Sequence, residues 1–334
     1  MVLSLSLEDL MHKALVFIYF TLVGLVLFTL DQQYLPLLLL FIVFVAIFIH
    51  VVKTFFGMTG TWFSKTYLQH LGNPLRKKTA LKKFCDQGWF LALHMSLSLA
   101  DLFVLKDETW WHDTKTCWDS TSPNGAFKEN RFAVHALYVF QLGMYIYVGF
   151  SCEYLEVHRK DHLVMMGHHV VTIALIIWSY AVGYLPIGVI IMFLHDVSDI
   201  PLDMLKMVNY LKMEDRKGWF VTEILFVITL IEWIYFRVYL FPTKLMNSTI
   251  YELRYSCMPP EAAADLTILF PHPGPTHWFW FNLLFISLYM LHIWWTFLLI
   301  RILIGVLTVG ANSVSKEEYE GASSDSDVDA KKSN

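Results

Sequence analysis

Eight apolar stretches, at roughly 14–30, 34–56, 86–105, 132–152, 163–182, 186–208, 219–241 and 277–308, constrain this 334-residue chain more than any other feature. A hydrocarbon core about 30 Å thick is crossed by about 20 helical residues. No water satisfies the backbone there, so each crossing must bond its own amides. The expected fold is therefore all-α: a polytopic transmembrane helical bundle of about eight spans with a cavity between helices. A composition that is 56% hydrophobic and 16% aromatic excludes an ordinary soluble domain, and nucleic acid is not an expected partner. The first span resembles a signal peptide, but its leader "MVLSLSLEDLMHK" carries acids and one Lys, and no small-residue cleavage site follows. It reads as an anchor.

Charge sets the expected orientation. Basic residues gather between spans 2 and 3 (Lys65, Arg76, Lys77, Lys78, Lys82, Lys83), 4 and 5 (Arg159, Lys160), and 6 and 7 (Lys212, Arg216, Lys217). The positive-inside rule makes these loops cytosolic. The alternate loops "DQQ" and "AVGYLP" lack Lys and Arg, and 106–131 and 242–277 mix both signs, so they would face a lumen. Both termini then lie in the cytosol. The tail supplies acid-directed serines, Ser324 and Ser326, as phosphorylation candidates. It ends in Lys331-Lys332-Ser333-Asn334, a dilysine pattern that reads as an endoplasmic-reticulum retrieval address. Asn247 of "NST" is a glycosylation acceptor in the expected luminal loop. Cys117 and Cys257 fall in luminal loops where a disulfide is permitted, although two separate thiols fit equally well. The chain divides into N-terminal membrane segments (1–57), a catalytic membrane domain (58–308) and a disordered acidic tail (309–334).

"MMGHHVVTIALIIWSY" places His168 and His169 in a span, and an intramembrane imidazole marks a functional site in need of a partner. Span 6 supplies candidates: His195, Asp196, Asp199, Asp203 and Lys206 share one arc of the helix, at about 100° per residue. Span 5 has its own stripe of Asp161, Met165, His168 and Thr172. A tight turn at 183–186 would make the two spans antiparallel neighbours, with the His pair facing His195, Asp196 and Asp199. A carboxylate fixes an imidazole tautomer, and burial keeps the ring neutral, fit to act as base or nucleophile. Acyl transfer is the obvious use, through an acyl-imidazole or by deprotonating an attacking amine.

At these residues the sequence resembles the ceramide synthases of the TLC-domain family. "HRKDHLVMMGHHVVTIALIIWSYAVGYLPIGVIIMFLHDVSDIPLDMLKMVNY" carries the family's RKD, HH, SY and HD-x-x-D elements, and "KKFCDQGWF" and Cys117-Trp118 match more loosely. The resemblance, over about residues 80–305, implies transfer of a fatty acyl group from acyl-CoA to a sphingoid base. It implies His168, His169, Asp196 and Asp199 as the essential site, with His195 in the same motif. His162 replaces the usual aromatic after RKD, and Val182, Gly183 and Pro186 stand where the family often has Asn and Arg. The homeobox-like insertion of many animal members is missing. Arg159, Lys160, Lys206 and the basic loop 76–83 would attract the CoA phosphates, and Asp161, Thr172, Tyr180 and Asp203 complete the expected substrate-binding set. The expected partners are acyl-CoA, a sphingoid base, membrane lipids and either a second copy or a small accessory subunit. A thioester is activated enough that no metal or redox cofactor is expected.

Two other classes compete. His158 and His162 form an H-x-x-x-H ahead of the His pair, as in membrane di-iron hydroxylases, and His168, His169, His195 and Asp199 would make a zinc site in an intramembrane hydrolase. A non-catalytic TLC-domain lipid-binding protein would keep the fold without the chemistry. His50, His94, His135 and His292 read as lone, satisfied polar groups, and Glu232 with Arg237 as a helix contact or part of the cavity.

Overall fold

The computed structural model describes residues 7–118, 131–156, 162–271, 274–275 and 277–309. Among these, eight helices are long and apolar enough to cross a membrane. They are α1 (Leu7–Thr29), α2 (Leu35–Tyr67), α3 (Lys78–Leu105), α4 (Phe132–Tyr154), α5 (His162–Val182), α6 (Leu185–Tyr210), α7 (Val221–Cys257) and α8 (Trp278–Val309). The connections alternate between two ends of the bundle. One, the basic end, carries the 68–77 and 211–220 links; the other, the turn end, carries the α1–α2, α3–α4, α5–α6 and α7–α8 links.

Burial ranks the helices. In the most apolar 18-residue window of each, 67% of α6 is buried against 11% of α1 and 17% of α2. The helix that carries the row of acids is thus central, and the more apolar α1 and α2 lie outside, as expected when lipid is the solvent for apolar side chains and protein must enclose polar ones.

The α5–α6 turn is built from local chemistry. Gly183 has φ 79°, the left-handed conformation a side chain resists. Tyr184 N–H donates to the Ser179 carbonyl at 2.7 Å, which closes α5 with a Schellman cap, and Pro186 opens the first turn of α6. Beyond this turn the two helices diverge. α6 packs chiefly on α3 and α7, whereas α5 packs on α1, α4 and α8. The expectation of close hairpin neighbours is corrected: α4 and α8 insert side chains between them.

Two irregularities sit beside the polar residues. Pro201 lies within α6 and has no N–H to give the Val197 carbonyl. From Ile234 to Met246, α7 winds wider in the i→i+5 pattern, with Pro242 inside and Arg237 turned inward. Such π-helical turns are frequent at functional sites.

The expected luminal loop 242–277 is instead helical through Cys257, followed by a short helix at Pro260–Ala264. Asn247 is exposed, but it stands on a helix, and the Thr249 hydroxyl of its sequon is buried, donating to Asn282 Oδ1 at 2.8 Å. The loop placement of that acceptor is therefore corrected. No disulfide joins Cys117 and Cys257. The Cys117 side chain is sunk in the apolar core, whereas the Cys257 thiol lies at the end of α7, 3.4 Å from the Ser256 hydroxyl.

Candidate active site

The acids of α6 recur at three- and four-residue spacing, so they share a face, and each is held by a different helix. Asp203 accepts from Gln87 Nε2 at 2.5 Å and pairs with His94 Nδ1 at 2.7 Å, both on α3. Asp196 accepts from Gln141 Nε2 on α4 at 2.9 Å, and the same amide reaches the Asp101 carboxyl at 3.2 Å. Asp199 binds Arg237 Nη2 on α7 at 2.7 Å. The guanidinium also donates to Ser198 Oγ at 2.7 Å and to the His195 carbonyl at 3.1 Å, and it stacks 4.8 Å from the Trp233 ring. His195 Nδ1 lies 2.7 Å from the Ile191 carbonyl and must carry the proton there, and its Nε2 lies 3.0 Å from His292 Nε2, which Arg237 Nη1 approaches at 3.4 Å. A buried charge is tolerated only with such partners.

His168 and His169 stand apart from this network. Consecutive helical residues point about 100° apart, and the two rings, 5.7 Å between centroids, diverge. His168 lies edge-on to Trp295 of α8 at 5.3 Å, within electrostatic range of His195 and Arg237. His169 is buried and senses His162 instead. The Nδ1 atoms of both are buried without a hydrogen-bond partner, as are Thr172 Oγ1 and His292 Nδ1. The expectation that Asp196 and Asp199 orient the pair is corrected: Gln141 and Arg237 occupy those carboxylates. Nor do His168, His169, His195 and Asp199 bring three donor atoms within coordinating reach.

A narrow cavity of about 30 Å³ runs between four helices from this region toward the turn end. α5 contributes Thr172, Leu175, Ile176 and Ser179, and α6 contributes Gly188, Ile191, Met192 and His195. Each set repeats at i, i+3, i+4 and i+7, one face of a helix. Tyr138 and Tyr145 of α4 and Phe281, Phe285 and Leu288 of α8 close the other walls. Thr172 and His195 mark its polar head, and a hydrogen bond between Tyr138 and Ser179 marks its foot. Gly188 lets Tyr138 in: a Cβ there would meet the phenol oxygen at 2.2 Å.

Of the other expected site residues, Thr172 lines the cavity and Asp203 sits in the α6 network. Lys206 is half-buried within electrostatic range of Asp199 and Asp203. The Tyr180 hydroxyl turns away, donating to Asp31 Oδ2 in the α1–α2 link at 3.1 Å, so its placement in the site is corrected. Arg159, Lys160, Asp161, Ser324 and Ser326 lie outside the described residues. Sequence reasoning missed the roles of Asp101, Gln141, His94, His292 and Arg237. The available signal was polarity inside an apolar span, a functional flag wherever it occurs.

The TLC domain family model matches residues 83–301. The chain is 30% identical over 256 residues to ceramide synthase 1 LOH3 of Arabidopsis thaliana, covering 73% of this chain and 77% of that one. It is 28% identical to ASC1-like protein 1 of Oryza sativa subsp. japonica, covering 77% and 81%. It is 30% identical to ceramide synthase 5 of Homo sapiens, covering 75% of this chain and 58% of the human protein.

Proposed function

Because this chain belongs to the TLC-domain family, whose ceramide synthases are its relatives, we propose that it transfers a fatty acyl group from acyl-CoA to the amine of a sphingoid base. The observation that carries this reading is the half-buried His168 one helical turn from Thr172, which with His195 marks the head of an apolar four-walled cavity. The acyl chain lies in the cavity, and the thioester sits at its head. His168 Nδ1 is sealed, which leaves Nε2 as the reactive atom.

In one route Nε2 attacks the thioester carbonyl. The carbon–sulfur bond breaks, CoA leaves as its thiol, and the amine then displaces imidazole to form the amide. In the other, Nε2 takes the amine proton while nitrogen attacks the thioester directly. Either route builds negative charge on the carbonyl oxygen, and the unpartnered Thr172 hydroxyl is the nearest donor along the helix. The Arg237 guanidinium, paired with Asp199, places a cation within electrostatic range of His168. The chemistry needs no metal or redox cofactor, since a thioester is already activated. In the proposed orientation the basic end faces the cytosol, in the endoplasmic-reticulum membrane, where Lys206 and the 76–83 segment attract CoA phosphates.

The test is to give the purified full chain a ladder of acyl-CoA lengths with a free sphingoid base and to identify products by mass. An amide product from at least one combination is expected; hydrolysis alone, or no amide from any pair, would overturn the reading. From Thr172 to Ser179 the helix rises about 10 Å, which sets the length of the lined cavity from head to foot. Gly188→Val, which forces Tyr138 off Ser179, is expected to shift the product profile toward shorter acyl chains and to cost about 1–3 kcal/mol of stability by overpacking. An unchanged profile would remove the foot of the cavity as a length determinant.

A further inference from the structure

His162, the residue that departs from the family's usual aromatic, has a partner set of its own. Its Nε2 lies 3.1 Å from Glu153 Oε2 at the end of α4, and His12 Nε2 of α1 lies 3.0 Å from the same oxygen. The two imidazole rings meet edge to face, 5.5 Å between centroids. One donor atom from each residue falls within 4.8 Å of the others. The cluster sits at the basic end, on three helices, with side chains 33%, 10% and 13% exposed for His12, Glu153 and His162. It is open to an ion from water but shielded from bulk solvent.

We propose that His12, Glu153 and His162 form a three-ligand site for a zinc ion, which pins α1 to the ends of α4 and α5. Two imidazole nitrogens and one carboxylate oxygen are a borderline donor set that suits zinc, with water filling the fourth position. Donors at zinc stand about 2.0–2.2 Å from the metal, so neighbouring donors of a tetrahedron are about 3.3 Å apart; 3.0 and 3.1 Å need little adjustment. The Cys152 sulfur lies 3.9 Å from His162 Nδ1 and is placed to accept its proton, the outer contact that fixes a ligating tautomer. Without the ion, both imidazoles donate to one carboxylate oxygen. The site is independent of the proposed reaction, because His168 lies about 9 Å further along α5 at the helical rise. A zinc ion here would set the position of the helix that carries His168 by joining its first turn to α1.

The experiment uses the purified full chain, stripped with a chelator and dialysed against buffered zinc. Bound metal is counted per chain, and thermal unfolding is followed with and without zinc. The expected result is one zinc per chain and a higher unfolding temperature with zinc. His12→Ala and His162→Phe should each lose at least about 100-fold in zinc affinity, more than the roughly 10–100-fold that removing an outer contact costs. His168→Ala should keep the ion. His162→Phe restores the family's aromatic and serves as the second variant if His12→Ala does not fold. No zinc above background, a zinc content in both ligand variants equal to the parent's, or loss of the ion in His168→Ala would each overturn the site.

Discussion

Purified protein carrying His168→Ala is expected to form amide product at least about 1,000-fold more slowly than the parent, a loss of about 4 kcal/mol of transition-state stabilisation. Alanine removes the imidazole that stands one turn from Thr172 and within electrostatic range of Arg237 and His195. It removes no hydrogen bond, because none is formed by His168 among the described residues. The folded protein should therefore elute as the parent does on gel filtration and unfold within a few degrees of it. Acyl-CoA binding, measured with a non-hydrolysable analogue, should persist, because the cavity walls are untouched. Retained turnover in that folded variant would move the chemistry elsewhere in the bundle. Lost binding together with lost turnover would make His168 a packing residue.

Arg237→Ala is expected to destabilise the bundle markedly. The guanidinium is 3% exposed and holds Asp199, Ser198 and the His195 carbonyl. Truncation leaves a carboxylate without its counter-charge, which costs roughly 3–5 kcal/mol when the pair is buried. Asp199 keeps 26% side-chain exposure, which puts the expected loss at the lower end, about 3 kcal/mol. Thermal unfolding in detergent reads it. Replacing both partners, Arg237→Met with Asp199→Leu, should recover most of the lost stability, because the penalty belongs to the unmatched charge and not to the missing pair. If Arg237→Ala unfolds at the parent's temperature, the ion pair does not support the packing of α6 against α7. A double variant no better than the single would show that Arg237 acts through its packing on Trp233.

The eight crossings were legible because a bilayer leaves the backbone one economical solution and apolar length reveals it. The polar face of α6 was equally plain, since acids at three- and four-residue spacing have one arrangement on a helix. Pairing was not. Sequence adjacency suggested that α5 and α6 would lie together, yet a short turn fixes only where two helices meet, and side-chain volume decides how far they separate. Tyr138 of α4 and Phe281 and Phe285 of α8 supply that volume. The α7 segment was harder still: a wider winding over 234–246 shifts the face presented by every following residue, and no 3.6-residue pattern anticipates it. His94 and His292 looked solitary because their partners, Asp203 and His195, are 109 and 97 residues away.

The α6 network also bears on how the chain enters the bilayer during synthesis. Asp196, Asp199 and Asp203 in one crossing each add about 2.5–3.5 kcal/mol to the cost of inserting a helix alone. Gln87, His94 and Gln141 belong to crossings that leave the ribosome earlier, so donors for two of these acids are already in place when α6 arrives. The third waits for Arg237 on the crossing that follows. The segment that carries the acids would thus be retained next to the translocation machinery until its neighbours are delivered, and assembly of the bundle would proceed in the order of the gene.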